Sequence, residues 1–170
     1  MVVVAETMVR MGELAVASAP TEVLASIGLG SCIGLALVSR ARAVAGLAHV
    51  MLPASNGSAA EAGKYADRAV PSLIERLGRA GAPARELDAI LVGGAQMFAL
   101  GGGGGNSLEI GARNERAVRA ALAAAGIRVL AAATAGNKGR TIRVRTETGE
   151  VVVKEVGGAE ELLYAGRAAA

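Results

Sequence analysis

Residues 28–53 read GLGSCIGLALVSRARAVAGLAHVMLP, and the fold turns on how this stretch is read. Two short apolar runs, Ile33–Val38 and Val44–Leu52, flank the polar segment Ser39-Arg40-Ala41-Arg42-Ala43. Runs of this length, rich in Val, Ile and Leu and bounded by turn residues, are expected as strands. A four-residue loop, Ser39 to Arg42, pairs Val38 with Ala43, so paired residue numbers sum to 81. The numbers of Cys32 and His49 also sum to 81. Directly opposed residues share a face, with β-carbons roughly 5 Å apart, and a one-residue slip would separate them. The single cysteine and single histidine of the chain are therefore expected to meet on one face of a hairpin.

Outward from the hairpin, Tyr65–Ala80 carries Ala66, Ala69, Val70, Leu73, Ile74 and Leu77, the spacing of one helix face. Pro71 inside it predicts either a kink or an effective start at a first-turn proline. Gly81 is a plausible stop. Leu87–Val92 reads as a buried strand. A second helix is expected to open at Asn114, a good N-cap residue, and to close before Gly126. Its apolar face would be Ala117, Val118, Ala121, Leu122 and Ala125. Ile127–Ala133, Thr141–Arg145 and Val151–Val156 are three further strands, the last two split by the turn Glu147-Thr148-Gly149-Glu150. Gly101–Gly105 reads as a flexible loop insertion and not as a hinge. With no internal repeat and no interdomain linker, residues 1–170 are expected to form one α+β domain with more strands than helices.

Composition narrows the function classes. The 18 basic and 15 acidic residues leave a net charge of +3, and 15 of the bases are arginine. Bases and acids are interleaved, so no phosphate-tracking stripe is evident. One Phe, two Tyr and no Trp leave little for base stacking, so nucleic acid is not an expected partner. Alanine and glycine occupy 62 of the 170 positions, so the 52% apolar content overstates the bulky core. One cysteine makes no intramolecular disulfide, and one Cys with one His does not build a structural zinc site. The first 20 residues lack a basic n-region, and Glu6, Arg10 and Glu13 break their apolar stretch, which argues against a signal peptide. The charge-free window Ala89–Leu108 reaches membrane-spanning length but is too rich in glycine for a transmembrane helix. The expectation is a cytoplasmic protein without direct membrane insertion.

Nucleotide binding finds no support. There is no G-x-x-x-x-G-K-[ST] segment, and no helix opens on the glycine run as a dinucleotide fingerprint requires. Cys32 is different, because it follows Gly28-Leu29-Gly30-Ser31 and opens an apolar strand. Glycines beside a nucleophile leave room for substrate and expose backbone N–H groups that could hold an oxyanion. The ordinary reading is that a lone Cys before a strand is a small buried hydrophobe, and a lone His a satisfied core residue. Composition and spacing leave both readings open.

At these residues the chain resembles the CheD family of chemoreceptor glutamine deamidases. Gly28-Leu29-Gly30-Ser31-Cys32 and Ala48-His49-Val50-Met51-Leu52-Pro53 carry the resemblance first. It continues through Gly63-Lys64-Tyr65-Ala66-Asp67, Gly93-Gly94-Ala95-Gln96-Met97-Phe98, Ile110-Gly111-Ala112-Arg113-Asn114 and Gly136-Asn137-Lys138-Gly139-Arg140. The ordered set spans roughly Met11 to Gly158, nearly the whole chain.

The resemblance implies a layered α/β sandwich, mostly antiparallel, with two main helices. It implies hydrolysis of selected glutamine side-chain amides on methyl-accepting chemotaxis receptors, giving glutamate and ammonia. Hydrolysis of glutamyl methyl esters and a CheC-type phosphatase partner come with it. By motif position Cys32 is the nucleophile, His49 its base and later acid, and Ser26 stands where the family usually has threonine. Gly28, Gly30 and Ser31 would form the oxyanion turn, and no metal or organic cofactor is implied. The stretch from Phe98 to Ile110 is longer and richer in glycine than the family pattern, and Ala135 replaces a usual glycine. The alternative is a non-catalytic or weakly catalytic module that binds receptors and a phosphatase; a third reading is a hydrolase of the same fold acting on another amide or ester. For the catalytic reading, the thiol and an imidazole nitrogen are expected about 3–4 Å apart, with Ser26 approaching the other nitrogen or the edge of the site.

Overall fold

The computed structural model describes residues 3–58, 61–97 and 109–167. The expected Gly101–Gly105 loop lies outside them. In chain order the strands are β1 (Ala5–Met8), β2 (Leu14–Ala17), β3 (Glu22–Leu29), β4 (Ile33–Ser39) and β5 (Ala45–Val50), then β6 (Leu87–Gly93), β7 (Val129–Thr134), β8 (Arg140–Arg145), β9 (Val151–Glu155) and β10 (Glu160–Tyr164). The helices are α1 (Ala66–Arg79) and α2 (Ile110–Ala124).

Among the described residues two five-stranded sheets form, ordered β1-β3-β8-β9-β10 and β2-β5-β4-β6-β7. Each is antiparallel except for one parallel pair, β1 with β3 and β6 with β7. Both helices cover the outer face of the second sheet, giving a helix–sheet–sheet sandwich, the layered α+β architecture the sequence suggests. Every residue of the central strand β4 is buried. Its Leu35 and Leu37 pack with Leu73 and Leu77 of α1 and Leu122 of α2, while Ala36 and Val38 pack with Leu24, Ile142 and Val144 of the first sheet. A strand covered on both faces reads as a continuous apolar run and not as an alternating one. Each fully buried leucine contributes about 2 kcal/mol of transfer free energy, so these two layers hold the site in place.

Helix α1 passes through Pro71 as one helix from Ala66 to Arg79 and does not restart there. Helix α2 begins four residues before the expected N-cap. Asn114 lies inside it, on the buried face with Gly111, Val118 and Leu122. The hairpin loop is longer than four residues, because Val38 pairs with Ala45. The Ser39 hydroxyl accepts the N–H groups of Ala41 and Arg42 and closes the turn locally. Among the described residues no helix is long and apolar enough to cross a membrane.

Candidate functional site

The chain leaves the first sheet at the end of β3 and enters the second at β4 through the turn Gly30-Ser31-Cys32. Near the end of β3 the pairing with β8 slips between Ser26 and Leu29. The extra residue makes a bulge in which Gly28 takes φ +72°, a conformation that favours glycine. Gly28 thus belongs to the end of β3, and the turn itself begins at Gly30.

Across β4 and β5, His49 pairs with Gly34, and the register numbers sum to 83, not 81. The correction is two residues, so the parity survives and with it the shared face. Gly34 and Cys32 lie two apart along the chain and point the same way. Both side chains therefore face the interior between the sheets, where Cys32 packs at the edge of the inter-sheet cluster. Gly34 brings no side chain to this face; a β-carbon there would come within 2.8 Å of Leu29.

His49 is 3% exposed, and its Nδ1 lies 3.2 Å from the carbonyl oxygen of Val9. A carbonyl only accepts, so Nδ1 carries the proton and Nε2 of the neutral ring presents its lone pair. The hydroxyl of the fully buried Ser26 donates to the same Val9 oxygen at 2.7 Å. Ser26 thus meets the ring only through a shared acceptor: it makes no bond to the imidazole and lies at the edge of the site, the second of the two expected positions. Val9 is itself held by its N–H, which donates to Ala25 at 2.7 Å.

Nε2 is buried and has no hydrogen-bond partner among the described residues, so the expected thiol–imidazole hydrogen bond is not made. Burial lowers the pKa of His49, an effect opposed by the Val9 carbonyl and by the charge of Glu13. Burial likewise raises the thiol of Cys32, which is partly exposed. Both shifts favour a neutral thiol beside a neutral imidazole over a thiolate–imidazolium pair. A groove of about 400 Å³ opens on His49, lined among others by Val9, Arg10, Met11, Ile27 and Gly28. Met11 and Ile27 are 62% and 55% exposed, an apolar rim on the protein surface.

The turn is clamped from the back. Gly94 N–H donates to the Cys32 carbonyl at 2.9 Å and Ala95 N–H to Gly30 at 2.8 Å. Gly93 has φ +112°, and a β-carbon there would collide with the Cys32 carbonyl oxygen. From α2, the Asn114 amide nitrogen donates to the Ser31 carbonyl at 3.0 Å and to the Met51 carbonyl at 2.8 Å. Sequence reasoning missed both Val9 and Asn114 as site residues. A backbone carbonyl carries no residue-type signal, so Val9 was not legible. Asn114 was, as a polar residue in the apolar stripe of α2.

Together these features define an α+β protein of two packed sheets, with a cysteine and a tautomer-fixed histidine on one inner face and a surface groove that reaches the histidine. The chain belongs to the CheD family. The family model, described as CheD chemotactic sensory transduction, matches residues 51–155. The chemoreceptor glutamine deamidase CheD of Thermotoga maritima is 42% identical over 155 residues, which cover 91% of this chain and 95% of that one. A probable chemoreceptor glutamine deamidase CheD of Symbiobacterium thermophilum is 46% identical over 158 residues, with the same two coverages.

Proposed function

We propose that this chain hydrolyses glutamine side-chain amides on the cytoplasmic region of chemotaxis receptors, with Cys32 as nucleophile and His49 as base and acid. The observation that carries the reading is the state of His49. Its Nδ1–H is committed to Val9, its Nε2 lone pair has no partner among the described residues, and it shares a face with the only thiol of the chain. A ring nitrogen that carries no proton and is not engaged by a protein donor is free to take one from a thiol.

In this mechanism Nε2 takes the proton of Cys32 as the sulfur attacks the amide carbon. Catalytic hydrogen bonds tighten in the substrate complex, so the thiol meets Nε2 as substrate binds. The carbonyl π electrons move to oxygen, and backbone N–H groups of the Gly30–Cys32 turn stabilise the resulting oxyanion. The oxyanion collapses, the C–N bond breaks, and His49 returns its proton to the departing nitrogen, releasing ammonia and leaving a thioester. Water, deprotonated by His49, adds to the thioester and expels the sulfur, giving glutamate and regenerating the thiol. The exposed apolar rim of Met11 and Ile27 supports a substrate presented on a protein surface. A CheC-type phosphatase partner and action on glutamyl methyl esters belong to the same proposal.

The test compares ammonia release from a receptor cytoplasmic fragment and from free glutamine. The proposal expects turnover of the fragment and very little of free glutamine. Efficient hydrolysis of the free amino acid moves the chain to another amidohydrolase role, and binding of the fragment without release leaves a non-catalytic module.

A further inference from the structure

Asn114 is fully buried on the face of α2 that packs against the second sheet. Its two amide hydrogens go to two carbonyls, Ser31 and Met51. Both partners only accept, so the orientation of the amide is settled: nitrogen toward the carbonyls, oxygen away. That oxygen, Oδ1, is buried with no partner among the described residues. An apolar side chain of similar shape would avoid the desolvation cost of Oδ1, so packing alone does not explain an asparagine here.

Its two acceptors explain it better. Ser31 immediately precedes Cys32, and Met51 lies two residues beyond His49. One side chain therefore ties the nucleophile turn to the strand that carries the base. The described peptide bonds are all trans, and in a trans peptide the N–H points opposite to the C=O of the same unit. With Asn114 drawing the Ser31 carbonyl toward α2, the N–H of Cys32 is turned away from α2. The thiol also lies away from α2, against the inter-sheet cluster. No turn or loop hydrogen bond between backbone groups of the described residues uses this N–H.

We propose that Asn114 is a positioning residue: it fixes the Ser31–Cys32 peptide so that the Cys32 N–H is the oxyanion donor. The inference rests on the deamidase reading and adds to it both a donor and the residue that aims it. Asn114→Leu keeps the approximate shape, deletes both hydrogen bonds and removes the unpartnered Oδ1. Misaiming one oxyanion donor costs on the order of 100-fold in kcat. The expected result is therefore a fall in kcat of about that size, with KM and the pH profile of Cys32 alkylation by iodoacetamide unchanged. A kcat within twofold of the unsubstituted protein overturns the proposal. So does a loss of kcat that appears together with altered Cys32 alkylation and a lowered melting temperature, because that pattern marks a purely structural role. An unsubstituted protein that releases no ammonia from receptor fragment overturns the underlying reading as well, a result distinct from the other two.

A second measurement needs no variant. A peptide with a side-chain aldehyde in place of the glutamine amide adds the Cys32 thiol across its C=O bond, giving a hemithioacetal with its oxygen in the oxyanion position. The Cys32 amide proton should then move downfield in the nitrogen-15 correlated NMR spectrum of the full chain. A hemithioacetal that leaves this resonance in place overturns the assignment of the donor.

Discussion

Ser26 and His49 donate to a single atom, the carbonyl oxygen of Val9, and do so from different sheets. The hydroxyl and the imidazole do not bond to each other. The ring is oriented by a backbone group, and Ser26 helps hold that group in place. A backbone carbonyl serves as well as a carboxylate for fixing the tautomer, because it too accepts the Nδ1 proton. It carries no full charge, so it stabilises an imidazolium less than a carboxylate would.

Removing the Ser26 hydroxyl should accordingly weaken the site without destroying it. In Ser26→Ala, Val9 still accepts from His49, and one buried hydrogen bond is lost at about 1 kcal/mol of stability. The expected outcome is a kcat reduced roughly three- to tenfold, measured as ammonia release. A loss as deep as that of a Cys32 variant would show that Ser26 itself takes part in proton transfer.

Cys32→Ala should abolish turnover while leaving the thermal midpoint nearly unchanged, since the thiol sits at the edge of the inter-sheet cluster and is partly exposed. His49→Ala should lose as much, because a nucleophile and its base act as a unit and their losses are not additive. Ammonia assays and thermal melts on the two variants decide the point; residual activity in Cys32→Ala contradicts the mechanism.

The pH dependence follows from the two burial effects. His49 must be neutral to accept the thiol proton, and its pKa lies below the ordinary imidazole value. kcat/KM should therefore rise with pH through an acid limb below about 6.5. Burial raises the thiol, so the alkaline limb lies above the ordinary cysteine range. Between them the profile is flat. Alkylation of Cys32 by iodoacetamide should be slow at neutral pH and speed up only in alkaline solution. Fast alkylation persisting down to about pH 5 would reveal a thiolate–imidazolium pair and contradict the neutral resting state.

Gly93 ends β6 against the Cys32 carbonyl, at φ +112° with no room for a β-carbon. Gly93→Ala combines a left-handed backbone penalty with a backbone collision, and should cost at least about 2 kcal/mol. Denaturant titration reads this directly. A stability within 0.5 kcal/mol, the ordinary range for an inconspicuous surface substitution, would mean that β6 can withdraw from the turn.

Much of the architecture was legible in the sequence because its central strands are buried runs. β4, β5 and β6 were each recognisable within a residue or two, as was α1 from its apolar spacing. The edge strands β1 and β10 were not, since they are largely exposed and carry no apolar pattern. β3 was hidden by Gly28, which reads as a turn and instead makes a bulge inside the strand. The register was wrong by two residues because the Ser39 hydroxyl closes a longer loop than spacing alone suggests. Parity alone decides which face a side chain takes, so Cys32 and His49 still share a face although His49 pairs with Gly34 and not with Cys32. Asn114 was misplaced because an asparagine near a helix start is commonly a cap, whereas here α2 begins earlier and Asn114 turns inward.

The most direct test of the cysteine–histidine account is isotope-resolved tandem mass spectrometry of a receptor cytoplasmic fragment treated with the protein in water enriched in oxygen-18. Hydrolysis through a Cys32 thioester places one solvent oxygen in each new carboxylate, so modified glutamines should gain about 3 Da, against about 1 Da in ordinary water. The gain should fall at particular glutamines, and the Cys32→Ala variant should leave every one of them unchanged. A fragment that binds the protein yet shows no mass change, or an equal gain with Cys32→Ala, would contradict the account.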